Sequence, residues 1–533
     1  MLVVATVVVP RLRRARAADF EVTGDVAAQG YDVVSPWGDV ILGRRRILST
    51  VGLSGHHLQG DYEPGEADYS ARLRLRLDLD FGIANAEENF SDANLDLFIP
   101  GLDPTPVDLM YGYVEGRNLA GGWLHFKAGR QYVTDVLGWW SFDGARVGVT
   151  TPLYLKAELY GGLEQRGGLP LSTGRFESQG VWRGHRNGFE NRASAFPSYQ
   201  VAAPAPAVGL ALESDGPNWI HGRFTYRRVW NTGAVFLNQT PDPTTGGFDT
   251  FDQTRVSSER LGYAGSAYIM DVGALRGGVA YDLLNEQINR AYGSLEFFPV
   301  PQRLTTGFDL DFYVPTFDGD SIWNWFTRNP VVTATVQASA RPVDGLDVTL
   351  RGGSRVWLAD GDPDTWARAQ CAVASSNAEV LARCLRDGVD ASQGGERSFS
   401  RDERNRATQA APDLILDAAT HYRWPTGRLG LSGTLQTGFG GAASNRGRRT
   451  GGVFSARQSL AGEIVWLGGR VSVFDWDDPL RPDRHATSFG YVLAPEWRPW
   501  RFATMRLEWE HHTNRLVGQR YRALGYVQFR VVP

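Results

Sequence analysis

Apolar and polar residues alternate one for one along much of the chain. From Ala71 to Gly82, Leu73, Leu75, Leu77, Leu79 and Phe81 alternate with Arg72, Arg74, Arg76, Asp78 and Asp80. In a strand, successive side chains point to opposite faces, so this stretch has a leucine face and a charged face. Wound as a helix, it would scatter the charge all round and leave no apolar stripe. The pattern recurs at 153–164, 331–341, 346–357, 428–438, 502–510 and 520–533. Lys156 and Glu158 fall on the polar face of one such segment, Arg351 on another, and Arg506 and Glu508 on a third. Segments of this kind number about 18–22, each roughly ten residues long, the length of a tilted bilayer crossing. The alternation is weakest from Phe20 to His57.

Connections come in two lengths. Short Pro/Gly turns lie at 150–152, 298–302, 341–345, 423–427 and 496–502. Long polar connections run at about 164–207, 231–260, 313–330, 359–411 and 475–486. Short and long alternate along most of the chain, as the two ends of an outer-membrane barrel require. A soluble sandwich gives no reason for that regularity. The expected fold is therefore all-β: a transmembrane antiparallel up-and-down β-barrel of about 18–22 strands with long external loops. Leucines would face lipid and the charged faces would line the lumen. Trp123, Trp219, Trp357, Trp424, Trp497 and Trp500 sit at strand ends, where interfacial girdles form.

Composition agrees. The 533 residues carry 62 Gly and 17 Trp, and no apolar run of about 20 residues follows the N-terminus. Net charge is −4, which gives no pull toward nucleic acid. Of 55 basic residues only Lys127 and Lys156 are lysines; a GC-rich genome is the simplest source of so much arginine. Residues 1–17 read as an atypical signal segment, apolar from Leu2 to Val9 but with its arginines after that run. Residues 18–533 then form one barrel with loop insertions at 164–207 and 359–411. The expected location is the bacterial outer membrane, in contact with membrane lipid and lipopolysaccharide.

"GRQYVTDVLGWWSFDGARV", Gly129 to Val147, is the most specific local motif. Its Gly-Arg-Gln, acidic and aromatic turn, and Asp-bearing return strand resemble the alginate-export family of outer-membrane porins and related delta-proteobacterial export barrels. The resemblance covers about twenty residues. It implies outward passage of an anionic or neutral polysaccharide with periplasmic polysaccharide-export proteins as partners. On the residues themselves, Arg130 and Arg146 form a candidate cationic constriction, with Trp139 and Trp140 stacking on sugar rings. The alternative is that Arg130, Asp135 and Asp143 pair with one another and pin the turn.

No G-x-S-x-G, H-E-x-x-H or paired-cysteine metal motif is present, so neither an enzyme nor a cofactor is expected. A barrel enzyme acting on lipid, an adhesive barrel and a substrate-selective uptake porin stand as alternatives to export. The acidic runs at 317–320, 360–364 and 475–479 are candidate Ca²⁺ loops, although such runs are more often solvated. Cys371 and Cys384 fall in one polar insertion, where a disulfide would staple a lid or plug.

Overall fold

The computed structural model describes residues 19–60, 63, 65–83, 107–165, 205–214, 219–232, 234–236, 250–252, 254–314, 330–358, 413–442, 445–460, 462–477, 485–515 and 518–532. The signal segment, Cys371, Cys384 and the acidic runs at 317–320 and 360–364 lie outside these residues.

The strands are β1 (Asp19–Val34), β2 (Val40–His56), β3 (Asp68–Ile83), β4 (Val107–Asn118), β5 (Leu124–Asp135), β6 (Gly138–Thr150), β7 (Leu155–Glu164), β8 (Pro206–Ser214) and β9 (Ile220–Asn231). Next come the short β10 (Ala234–Phe236) and β11 (Thr250–Asp252), then β12 (Arg255–Ile269), β13 (Gly273–Asp282), β14 (Gln287–Val300), β15 (Leu304–Tyr313), β16 (Val331–Val343) and β17 (Leu346–Trp357). The chain ends with β18 (Asp413–Trp424), β19 (Gly427–Ala442), β20 (Asn445–Leu460), β21 (Val465–Asp477), β22 (His485–Trp500), β23 (Ala503–Asn514) and β24 (Gly518–Val531).

All but β10 and β11 join one 22-stranded antiparallel sheet in chain order. The sheet closes because β24 pairs with β1, from Val22↔Val531 to Val34↔Gln519. Closure satisfies the edge groups that hydrocarbon could not solvate. The weakly patterned stretch 20–57 supplies β1 and β2, paired over their whole length.

The alternation sorts side chains as the sequence predicts. Leu75, Val51 and Leu53 are exposed on the outside, while Thr50 and Arg76, opposite one another in register, are buried on the inside. The reverse placement would cost roughly 2–4 kcal/mol per arginine at the bilayer midplane, which fixes the register. At the closing seam Phe529 lies across Gly24, and a Cβ on Gly24 would enter its ring.

The connections at 84–106, 165–205, 232–254, 314–330 and 358–412 all leave the end of the barrel opposite the two chain termini. The termini end carries only short turns plus the 57–67 connection. The expected 475–486 connection shortens to 478–484, because β21 runs on to Asp477.

One hairpin leaves the wall. Gly129 on β5 has φ +124° and opposes Gly144 on β6, which opposes Gly162 on β7. Side chains at Gly129 and Gly144 would strike carbonyls of the adjacent strands, so only glycine permits this close approach. Beyond that row, the tip of the β5–β6 hairpin folds into the lumen. A Cβ on Gly262 of β12 would meet Val136 Cγ1 at 2.5 Å and Leu137 Cδ2 at 2.9 Å. Behind the tip, Val133, Trp140, Phe142, Tyr160, Ala205, Ala207 and Val229 form a buried apolar cluster.

Candidate functional site: the luminal wall

Strands β18 to β24 line a luminal recess of about 800 Å³. Six arginines reach it: Arg423, Arg428, Arg457, Arg470, Arg506 and Arg522, with His421, Glu496 and Glu508 among them. They converge because every second residue of these strands faces inward and the inward positions are arginine-rich. Arg457 meets Glu496 at 2.8 Å. Arg506 and Arg522 share Glu508 at 2.7 and 2.5 Å, and Arg522 also meets Glu510 at 2.6 Å. Arg423 pairs with Asp347 at 2.7 Å. Arg428 and Arg470 have no carboxylate within ion-pair distance among the described residues. Two glutamates against six guanidinium groups leave the recess positive, with two arginines available to a mobile anion.

A second cluster sits on β5 to β9. Glu158 is enclosed, its side chain only 1% exposed, by Arg223 Nη2 at 2.9 Å, Lys156 Nζ at 3.1 Å, and Arg146 Nη2 and His125 Nε2, both at 3.7 Å. Arg223 also binds Glu213, which meets His221 Nε2 at 2.9 Å. Beside this group the Lys127 ammonium lies 3.9 Å over the Tyr113 ring. Sequence alternation singles out Lys156 and Glu158 as luminal and the Gly129–Val147 motif singles out Arg146; Arg223 and Glu213 join them only in the structure. Arg223 carries the same signal, standing in the polar row His221, Arg223, Thr225 and Arg227 of β9, and Glu213 lies opposite it on β8.

Other expected luminal residues take these places. Arg74 faces inward and binds Asp25 and Thr50 through Nη2, each at 2.5 Å. Arg72 lies opposite Tyr113 and Arg76 opposite Thr50. Asp78 and Asp80 pair in backbone register with Leu48 and Arg46. Arg351 lies opposite Gln337 and Asp417. Asp135 caps its own turn, its Oδ1 accepting from the Leu137 N–H at 2.8 Å.

The structure corrects the reading of the Gly129–Val147 motif. Lys127 and Gln131 take the inward positions of β5, so Arg130 between them faces outward, and Asp143 is its partner across the ladder. Arg130 binds both carboxylate oxygens of Asp143, at 2.7 and 2.8 Å. The cationic constriction expected from Arg130 and Arg146 is therefore not formed; the pinned-turn alternative describes Arg130 and Asp143, without Asp135. Trp139 also lies on the outward register, stacked on Tyr132 at 6.1 Å. Trp140 faces inward but is 5% exposed, stacked on Phe142 at 4.3 Å with its indole N–H donating to Glu164 at 2.8 Å. Neither indole presents a face to a polymer in the lumen. No group of three or more metal-ligating side chains occurs among the described residues.

No protein-family model matches the chain, and no curated protein sequence matches it. Solved structures of similar outline include Acinetobacter baumannii OccAB4, at 7% identity and a TM-score of 0.40, covering 97% of this chain and 98% of that one. A BenF-like porin from Pseudomonas fluorescens Pf-5 gives 9% identity and a TM-score of 0.40 over 97% and 100%. Pseudomonas aeruginosa OpdK, solved with vanillate, gives 11% and 0.39 over 97% and 99%. At such scores the overlay carries no argument, and the architecture stands on the hydrogen-bond ladder itself. A closed 22-stranded antiparallel barrel, apolar outside and charged within, is a bacterial outer-membrane protein, seated among lipid and lipopolysaccharide.

Proposed function

We propose that the protein is a non-enzymatic outer-membrane channel selective for small anionic solutes, a substrate-selective uptake porin. The observation that carries this reading is the arginine recess, with Arg428 and Arg470 lacking carboxylate partners among the described residues. A solute carboxylate or phosphate meets two unoccupied guanidinium groups there, while the paired arginines raise the local potential. Separated sites of moderate strength let an anion enter and leave. A barrel of this strand number is wide enough for an aqueous path.

Export of a polysaccharide with periplasmic partners has less support. Its motif is used for the wall, with Arg130 and Asp143 facing outward and Trp140 buried. The test is reversal potential across a planar bilayer under a KCl gradient, for wild type and the Arg428→Ala/Arg470→Ala double variant. The wild type should prefer chloride and the variant should lose most of that preference. Equal preference in both would refute the assignment of the recess.

A further inference from the structure

The wall parts between β4 and β5. The β4–β5 ladder spans only Gly112↔Arg130 to Gly116↔Phe126. Beyond it, Val107 to Tyr111 of β4 stay with β3, while Gln131 to Asp135 of β5 pair only with β6. The cause is the inward hairpin: β5 leaves the wall at the glycine row and β4 does not follow. No ladder bond joins the two facing edges. Arg130 bridges them, Nη1 donating to the Leu109 carbonyl at 2.9 Å, and the Tyr111 and Tyr132 rings meet at 6.2 Å.

What lies inboard of this seam differs from the rest of the lumen. It is the apolar cluster of Val133, Trp140, Phe142, Tyr160 and Val229. Against the cluster stands Arg227, with its guanidinium 5.1 Å over the Trp140 ring. Arg227 is 6% exposed; Nη2 donates to the Leu137 carbonyl at 3.3 Å, and Nη1 has no hydrogen-bond partner among the described residues. A buried guanidinium nitrogen without an acceptor marks a place for an anion. Arg260, Asp135 and Glu164 surround it electrostatically, yet no carboxylate pairs with it within ion-pair distance among the described residues.

We propose that the seam is a lateral port between the lumen and the outer-membrane hydrocarbon. Its ligand is an amphipathic monocarboxylate with a single alkyl chain, the tail on the apolar cluster and the carboxylate on Arg227. The width sets the chain number: parting the two edges by one further strand spacing, roughly 5 Å, clears room for one alkyl chain and excludes a two-chain lipid. The location sets the source: Val107 and Tyr132 stand exposed on the outer side of the seam, an apolar and an aromatic side chain of the kind that meets lipid. Opening separates two edges held by one guanidinium–carbonyl bond and one ring contact, not by a ladder. This function goes beyond the anion path on β18–β24 and does not depend on it.

The test uses the full chain in lipid vesicles, with palmitic acid carrying a photoreactive diazirine at the chain end as probe. Peptide mass spectrometry locates the label. Val133, Trp140 and Phe142 should be labelled as well as outward residues, and a two-chain phosphatidic acid bearing the same group should label only outward residues. Arg227→Met should lower cluster labelling at least tenfold while the protein still shows the heat-modifiable mobility of a folded barrel. In a Cys371→Ser/Cys384→Ser background, Met110→Cys and Tyr132→Cys occupy positions the ladder would make neighbours if it continued. Closing that disulfide should abolish cluster labelling, and reduction should restore it. An unlabelled cluster in the wild type overturns the port, as does labelling unchanged by the closed disulfide. Reversal potentials on the same preparations should be unaffected by the disulfide, which separates failure of the port from failure of the anion path.

Discussion

Replacing Glu158 by Gln removes one negative charge and little volume from the centre of four basic groups. Arg223 and Lys156 lie 2.9 and 3.1 Å away, Arg146 and His125 at 3.7 Å. At an effective dielectric of about 20, unit charges 3–4 Å apart attract by about 4 kcal/mol. The basic side chains remain about a fifth exposed, so water offsets part of this. Breaking a buried pair by removing one partner costs about 3 kcal/mol or more. The folding equilibrium constant of the Glu158→Gln barrel should therefore be about a hundredfold less favourable, read as a lowered urea midpoint for loss of heat-modifiable mobility in detergent. The lumen gains one positive charge, so the reversal potential should shift toward stronger anion preference. Lys156→Met added to Glu158→Gln removes one stranded ammonium and should recover part of the stability, giving a measurable coupling between the two sites. The reasoning is refuted if the midpoint holds within error, or if the two substitutions simply add.

Three further expectations follow from the wall and the hairpin. Gly24→Leu should block assembly, because its side chain would occupy the Phe529 ring, and Phe529→Ala in the same chain should restore a folded, heat-modifiable band. Gly129→Ala, at φ +124° and against the Gly112 carbonyl, should cost about 1–3 kcal/mol or more and lower the urea midpoint, whereas Ala128→Gly should leave it nearly unchanged. Gly262→Val should push Leu137 and Val136 off β12, measured as a changed single-channel conductance with unchanged folding.

Most of the wall is legible in the sequence because the alternation has a period of two and lipid enforces it. Leu75 and Val51 outside, with Arg76 and Thr50 inside, follow directly from that pattern. The stretch 20–57 is weak for a physical reason. Gly24, Gly30, Gly43 and Gly55 replace apolar side chains there, and neighbours such as Phe529 cover the gaps from an adjacent strand. A single strand cannot show that compensation. The motif from Gly129 to Val147 misleads for a related reason. Closeness in sequence groups its charges and indoles, but strand neighbours point apart. Strict alternation sets Arg130 opposite in sense to Lys127, and Asp143 opposite in sense to Arg146, on residue spacing alone. The inward fold of the tip is out of reach of such counting, since it depends on glycines of three strands meeting in one row and on Gly262, more than a hundred residues later in the chain.

Arginine usage is where register adds most to composition. A base-composition bias in the genome explains why arginine stands where lysine might serve, but such a bias acts on codons and knows nothing of faces. It would place arginine on both sides of a strand. On β17 to β24 the arginines inside the ladders, apart from Arg448 beside Asp475 at the loop end of β20, instead fall on the inward register: Arg351, Arg428, Arg457, Arg470, Arg506 and Arg522 each face the lumen, while their strand neighbours Leu350, Leu429, Ala456, Val471, Leu507 and Ala523 face out. Lipid alone accounts for the clean outer face, because an arginine there costs energy. It does not account for so many arginines inside, where Ser, Thr or Gln would be as well solvated; β16 takes that course with Thr333, Thr335, Gln337 and Ser339 on its inward positions. The two stretches of wall carry the same lipid constraint and the same genome, yet differ in luminal charge. That difference is a property of the lumen, and lipid burial does not set it.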